Sequence, residues 1–300
     1  MKPRVIFLVG PTASGKSAVA LRLAKRLDGE IVSCDSMQVY RSMDLITSKP
    51  STRQQRMVAH HLIDVVSVNR EFDVSRYRRL ALKTIKEIHS RNKLPLVVGG
   101  TGLYVSMVVD GIFEKKTESP SIRRALYRQA QRFGSCHLHA KLRKVDPRAA
   151  ARIHPNDTRR IVRALEVFKT TGRTISELQA TRKGLRDDYD VRIFCLDRTL
   201  KDLYSRIDAR VEAMFRQGLV REVKKLLRGR LSRTARYAIG IPEVTSYLQG
   251  TLSLTEAKEL MKKNTRNYAR RQLTWFRKDK SIQWVRTAAQ IMRELKRKNA

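Results

Sequence analysis

Acidic residues are scarce in this 300-residue chain: 28 Asp and Glu stand against 64 Lys and Arg, a formal net charge of +36. That exceeds what solubility requires. It points to a polyanionic partner, nucleic acid first and an anionic membrane second. The basic residues run along the whole chain and do not gather in a tail, so they belong to folded surfaces. Cysteine is scarce too. Cys34, Cys136 and Cys195 lie far apart with no C-x-x-C pair. Such a set argues against a disulfide framework and a structural zinc site, and makes a reducing cytoplasm the expected compartment. No apolar run approaches membrane-spanning length, so no membrane partner is expected of a span. The short run near the start leads straight into a glycine loop, unlike a signal peptide. Internal repeats and low-complexity segments are lacking as well. With 41% apolar residues, the chain can build one large core or two smaller ones.

What is present begins with a loop. Gly10, Pro11, Thr12, Ala13, Ser14, Gly15, Lys16 and Ser17 fit G-x-x-x-x-G-K-S/T without a gap. The apolar run Val5 to Val9 precedes them and reads as a buried strand. Val19, Leu23 and Leu27 follow at a spacing of four and read as a helix. Strand, loop and helix start are the context that makes this pattern a phosphate site. Glycines let backbone N–H groups converge, and the helix N-terminus adds partial positive charge. Lys16 supplies a full charge, and the Ser17 hydroxyl suits Mg²⁺.

Further along, Glu30 to Cys34 reads as a second strand ending at Asp35, which opens the polar and aromatic run Asp35-Ser36-Met37-Gln38-Val39-Tyr40. In open α/β sheets ligands sit beyond the carboxyl ends of strands, so Asp35 and the phosphate loop should share a crevice. His60 and His61 read as structural or rim residues. Tyr77 to Asn92 reads as a basic helix and Leu94 to Val98 as a buried strand. That strand ends in Gly99-Gly100-Thr101-Gly102. A nucleotide hydrolase would be expected to carry an acidic metal ligand at such a strand end, and here there are glycines and a hydroxyl.

Between about 115 and 191 helical patterns dominate: Ile122 to Phe133, His137 to Val145, Pro147 to Ile153 and Asn156 to Thr170. This stretch holds 19 Lys or Arg and 8 Asp or Glu, a net of +11. His137 and His139 read as surface. Asp190 to Leu196 alternates like a strand. Leu203 to Arg228 reads as one long helix, with Arg206 and Arg210 one turn apart, either within reach of a phosphate. Ala235 to Pro242 reads as a loop. Ser253 and Glu256 have capping-box spacing and open a helix to about Lys278. That helix interleaves Arg266, Arg270, Arg271 and Arg277 with Tyr268, Trp275 and Phe276. Such a mixture suits RNA backbone neutralisation with base stacking, and equally a basic helix with a buried aromatic face. The tail from Arg286 reads as a last amphipathic helix.

Taken together the motifs resemble one family, the bacterial tRNA dimethylallyltransferases. The resemblance rests on GPTASGKS at 10–17, DSMQVY at 35–40, HHLID at 60–64, GGTGLY at 99–104, DPRAAARIHPNDTRRIVRALEV at 146–167, the segment from Arg210 to Val223, and RRQLTWFR at 270–277. Two departures stand out: Met57-Val58-Ala59 where the family has Gly-Ile-Pro, and Ile241-Pro242 where it has Tyr and a basic residue.

The resemblance implies an α/β fold, a parallel P-loop NTPase-like sheet with flanking helices and a helical insertion domain. Its parts are a core at 1–114, the insertion at 115–191 and a core completion with C-terminal basic helices at 192–300. It implies transfer of a dimethylallyl group from dimethylallyl diphosphate to N6 of adenosine 37 in tRNA, with Mg²⁺ held by Ser17. Asp35, Thr101, Lys16 and Arg210 carry the catalytic roles. Asp35 takes the proton of the adenine amine; Thr101 binds the oxygen that links prenyl and diphosphate. The implied tRNA contacts are Asp35, Ser36, Met37, Gln38, Thr101, Arg123, Arg159, Arg160, Ile161, Val162, Arg163, Arg270, Arg271, Gln272, Thr274, Trp275 and Arg277, the insertion gripping the anticodon stem-loop. A cytoplasmic monomer is the expected state. On the residues alone, a small-molecule or free-nucleotide enzyme, an RNA-dependent NTPase and a catalytically silent RNA-binding module stay open as rivals.

Overall fold

Five apolar residues without helical periodicity, Val5 to Val9, form the centre of β1 (Arg4–Val9). The structure, a computed structural model, describes residues 2–113 and 118–297. In chain order the first elements are α1 (Lys16–Arg26), β2 (Gly29–Ser33), α2 (Thr52–Met57), β3 (His60–His61), α3 (Val74–Ser90), β4 (Leu94–Gly99) and α4 (Gly102–Val109). Next come α5 (Pro120–Phe133), α6 (Ser135–Val145), α7 (Pro147–Arg152), α8 (Thr158–Thr171) and α9 (Ile175–Ala180). The chain returns through β5 (Asp190–Leu196), α10 (Leu200–Arg216), α11 (Leu219–Leu226), α12 (Arg233–Arg236), α13 (Ile241–Leu248), α14 (Leu254–Arg277), β6 (Gln283–Val285) and α15 (Ala288–Arg297).

Two units result: Met1–Val109 with Leu185–Ala300, and Asp110–Gly184. The expected boundary between residues 114 and 115 lies outside the described residues. The expected end at residue 191 runs into β5, where Asp190 already pairs with Arg4 of β1.

The first unit is built on six parallel strands in the order β3-β2-β4-β1-β5-β6. Both faces are covered, which explains the unbroken apolar runs. Val5, Phe7 and Val9 of β1 enter one core with residues of α3, α4, α10, α11 and α14. Ile6 and Leu8 point the other way, to α1 and α15. Among the described residues no helix is long and apolar enough to cross a membrane.

The second unit packs α5–α9 around Leu126, Leu138, Leu142, Ile161, Val162 and Leu165. Its chain ends meet in the antiparallel bridge between Ile112 and Lys183.

Several expectations need correction. The single helix over 203–228 is two, α10 and α11, parted at Gly218, whose φ of 101° lies where an α-helix cannot continue. The segment 235–242 is not a loop throughout: α12 runs into it as far as Arg236, and α13 begins at Ile241. The Ile241-Pro242 departure sits well there, because Ile241 is buried and Pro242 occupies the first turn, where an N–H has no intrahelical partner anyway. The reading of His60 and His61 as structural or rim residues stands: they form an edge strand, and His61 Nε2 meets the Glu30 carboxylate at 2.7 Å. His139 is half-buried, its Nε2 2.9 Å from the Ile153 carbonyl oxygen. The strand β6 had no signal beyond three residues, Gln283 to Val285, and pairing with β5 makes it.

Candidate active site

At the carboxyl end of β1 the backbone turns through Gly10 to Gly15 into α1. Gly15 caps α1 at φ 88°, a left-handed conformation that glycine adopts without strain. Lys16 Nζ donates to the Pro11 carbonyl oxygen, 3.1 Å away. Burial is the largest influence on this ammonium and lowers its pKa to about 8; Arg210 lowers it too, and nearby Asp35 holds it up. Arg210, on α10, donates from Nη1 to Thr12 Oγ1 at 3.0 Å. Burial also lowers the Arg210 pKa, and Asp35 opposes it. Arg206, one turn earlier, is tied to Asp202 at 2.8 Å. Of Arg206 and Arg210, the second is the one hydrogen-bonded to the phosphate loop. Ser17 is exposed in the first turn of α1.

Asp35 follows β2. Its Oδ1 accepts the N–H of Met37 at 2.9 Å and that of Gln38 at 3.4 Å. Its Oδ2 accepts no hydrogen bond among the described residues. Thr101 follows β4. Its Oγ1 accepts the Ser36 N–H at 3.1 Å, which pins the end of β4 to the Asp35 run. The hydroxyl proton donates to Ser36 Oγ only at 3.5 Å, a long bond that a stronger acceptor can displace. Gln38 is different: its amide takes the Ser33 hydroxyl at 2.9 Å and gives to the Thr47 carbonyl oxygen at 3.2 Å. The side chain is thereby spent inside the protein.

The helix α14 closes this end of the sheet. Tyr268, Gln272 and Trp275 fall at spacings of four and three, hence on one face. Each meets one residue of the run that leads from β4 into α4. Tyr268 hydrogen-bonds with Thr101, and burial pushes its phenol up to about 12, Asp35 adding to the shift. Gln272 Nε2 donates to the Gly100 carbonyl oxygen at 2.8 Å. Trp275 lies on Gly102, where a Cβ would collide with the indole. Gln272 is buried. Placing it among tRNA contacts is therefore corrected for its side chain, both ends of which bond within the protein. Arg270, Arg271, Thr274 and Arg277 are exposed, and Trp275 is partly so.

In the helical unit the run 159–163 divides by the helical period. Arg159 and Arg160 are exposed. Ile161 and Val162 are buried in the core of α8, which takes their side chains away from any RNA. Arg163 turns to Glu166, 2.9 Å away. Arg123 of α5 meets the same buried carboxylate with Nη2 at 2.9 Å and Nε at 3.1 Å. Burial pushes Glu166 up, but Arg123, the Ser119 N–H and Arg163 outweigh it and hold the carboxyl below its usual range.

Nothing along the chain points to the Tyr268–Thr101 and Gln272–Gly100 contacts. The only available signal was the i, i+4, i+7 spacing on a helix that an ordinary amphipathic reading also explained.

This chain is similar to known proteins over most of its length. Residues 38–279 match the family model described as IPP transferase. A tRNA dimethylallyltransferase of Geobacter sulfurreducens is 49% identical over 286 residues, covering 95% of this chain and 92% of the relative. The crystal structure of the full-length tRNA isopentenylpyrophosphate transferase from Bacillus halodurans superposes with a TM-score of 0.70 at 42% identity, over 95% of this chain and 90% of that one. A eukaryotic dimethylallyltransferase acting on tRNA gives a TM-score of 0.75 at 31% identity, over 91% of this chain and 69% of that one.

Proposed function

This chain belongs to the IPP transferase family, and from that premise we propose how its residues perform the reaction. It is a tRNA dimethylallyltransferase. It transfers a dimethylallyl group to N6 of adenosine 37, beside the anticodon, from dimethylallyl diphosphate. The observation that carries the reading is the convergence of two half-buried cations, Lys16 and Arg210, with the half-free carboxylate of Asp35, at the carboxyl ends of β1 and β2 on either side of β4.

The target base leaves its stack to reach this crevice. Its exocyclic amine is a weak nucleophile because the lone pair is delocalised into the ring. Asp35 Oδ2 accepts the N6 proton as the new C–N bond forms, while Oδ1 stays anchored by the backbone. The C–O bond to diphosphate breaks, and charge grows on the leaving group. Lys16, the loop N–H groups and Arg210 neutralise it. The Thr101 hydroxyl donates to the oxygen that linked prenyl and diphosphate. No residue activates water, in keeping with glycines and a hydroxyl at the end of β4.

The residues fit Mg²⁺. Among the described residues no cluster of three or more His, Cys, Asp or Glu could hold a metal. A lone hydroxyl beside a diphosphate suits Mg²⁺, which prefers phosphate oxygens and water to a protein cage. Ser17 would hold the ion, which when bound offsets charge on the leaving diphosphate. Exposed Arg159 and Arg160 in the helical unit, and Arg270, Arg271, Trp275 and Arg277 on α14, bind the tRNA anticodon stem-loop. A single chain acting in the cytoplasm completes the reading.

The test mixes the purified protein with Mg²⁺, unmodified tRNA and dimethylallyl diphosphate, then digests the RNA and weighs its nucleosides. An adenosine heavier by one dimethylallyl group is expected. No new nucleoside, with ATP consumed in a parallel tube, would return the phosphate loop to nucleotide hydrolysis.

A further inference from the structure

We propose that Gln272 is a positioning residue that sets the spacing between the phosphate loop and Thr101, and that it acts from inside the protein without touching tRNA. This rests on the transferase reading above. Gln272 Oε1 accepts the N–H of Thr12 at 2.8 Å, and Gln272 Nε2 donates to the Gly100 carbonyl oxygen at 2.8 Å. One planar amide therefore bridges the loop after β1 and the loop after β4. The first of these holds the cations: Thr12 Oγ1 is the acceptor of Arg210 Nη1. The second carries Thr101 one residue after Gly100.

Several observations make this a built strut. The amide is buried, so water cannot replace either partner without opening the helix. Gly100 has room for Gln272 only because it lacks a Cβ; a Cβ there would collide with Nε2. The neighbours Tyr268 and Trp275 seat the same helix face on Thr101 and Gly102, which fixes the amide against rotation. The amide also does what no charged residue could do there. It gives one donor to a carbonyl and one acceptor to an N–H, and it places no charge beside the diphosphate.

The reaction needs this spacing. The Thr101 hydroxyl must reach the bridging oxygen of a diphosphate already held by Thr12's loop, and small displacements between reacting groups are costly in rate. Exposed Arg270, Arg271 and Arg277 flank Gln272 on α14 and meet solvent. Gln272 itself meets the loops.

The experiment compares wild type with Gln272→Met, which keeps length and apolar bulk and removes both hydrogen bonds, and with Gln272→Glu, which keeps the acceptor for Thr12. Three readouts are taken: the dissociation constant for inorganic diphosphate, the tRNA dissociation constant with its salt slope, and a double-mutant cycle in kcat/KM with Thr101→Ala. For Gln272→Met, diphosphate binding should weaken roughly 10-fold and kcat fall about 10- to 100-fold, with tRNA affinity and salt slope unchanged. Combined with Thr101→Ala, the losses should be markedly less than additive, since both remove the same contact to the leaving group. Gln272→Glu should retain more diphosphate affinity than Gln272→Met. A fall in tRNA affinity with a shallower salt slope would make Gln272 an RNA contact and overturn the proposal; so would additive losses in the cycle, which would reduce it to generic stability. Diphosphate binding is measured without tRNA. A wild type that binds diphosphate but prenylates nothing would sink the transferase reading and leave the strut open to the same measurement.

Discussion

The two units keep their positive charge in opposite ways. In the sheet unit the cations that matter are half-buried. Lys16 and Arg210 both bond to the phosphate loop, and withdrawal from solvent lowers the pKa of both. In the helical unit Arg159 and Arg160 lie in solvent, and the buried charges are acids, Asp146 and Glu166, the second of which collects Arg123 and Arg163. A cation withdrawn from solvent is worth more to an anion because solvent screens it less, and it requires a scaffold that tolerates it. Exposed cations are cheap to hold, weak singly, and sensitive to salt. Chemistry on a small diphosphate needs the first arrangement; a grip on a long polyanion is served by the second.

The largest expected effect tests whether the buried side is where rate is made. Asp35→Ala should lower kcat by on the order of 10²–10⁴-fold while leaving tRNA affinity nearly intact, as measured by single-turnover prenylation and filter binding. A matching loss of binding would make Asp35 a contact and not a base.

Next comes an acid of the helical unit. Glu166→Ala leaves Arg123 and Arg163 facing a cavity and should destabilise this unit by about 3 kcal/mol, read by hydrogen exchange over 120–171. The folded carboxyl lies below its usual range, so its contribution is complete above that range and is lost as pH falls through the folded value. Protection of α5 and α8 should thus weaken in acid in wild type, and Glu166→Ala should flatten that dependence.

A smaller effect is expected at the phosphate loop. Lys16→Ala should weaken dimethylallyl diphosphate roughly 10- to 100-fold. Because the ammonium titrates at about 8, wild-type diphosphate affinity should fall as pH rises through that value, and the variant should lose the step. A step that persists would belong to another group.

The smallest concerns the exposed cations. Arg159→Ala with Arg160→Ala should reduce the slope of log K against log salt by roughly 1 to 2 and leave diphosphate affinity untouched. An unchanged slope would erase the contrast between the units.

How far the residues were legible follows the same division. The loop Gly10 to Ser17, the strand end at Asp35 and the strand end at Thr101 could be placed from sequence, because an apolar run buried on both faces has one reading and its carboxyl end points to the ligand crevice. The run 159–163 could not be sorted. Five consecutive residues on a 3.6-residue period cannot share one face, and only packing shows that Ile161 and Val162 are the ones inside. The break at Gly218 was equally hidden, since glycine is tolerated within a helical pattern as well as at its end.

By itself, then, the sequence determined the kind of chemistry: a phosphate loop, an acid beside it, a hydroxyl in place of a water-activating acid, and a charge that calls for a polyanion. Those properties are local or compositional, so no long-range contact was needed to see them. The tertiary structure alone decided which residues serve the site from within. Gln272 touches Gly100 and Thr12 across 172 and 260 residues of chain, and Arg123 reaches Glu166 across 43. Such pairings depend on how helices pack, which no spacing along the chain specifies.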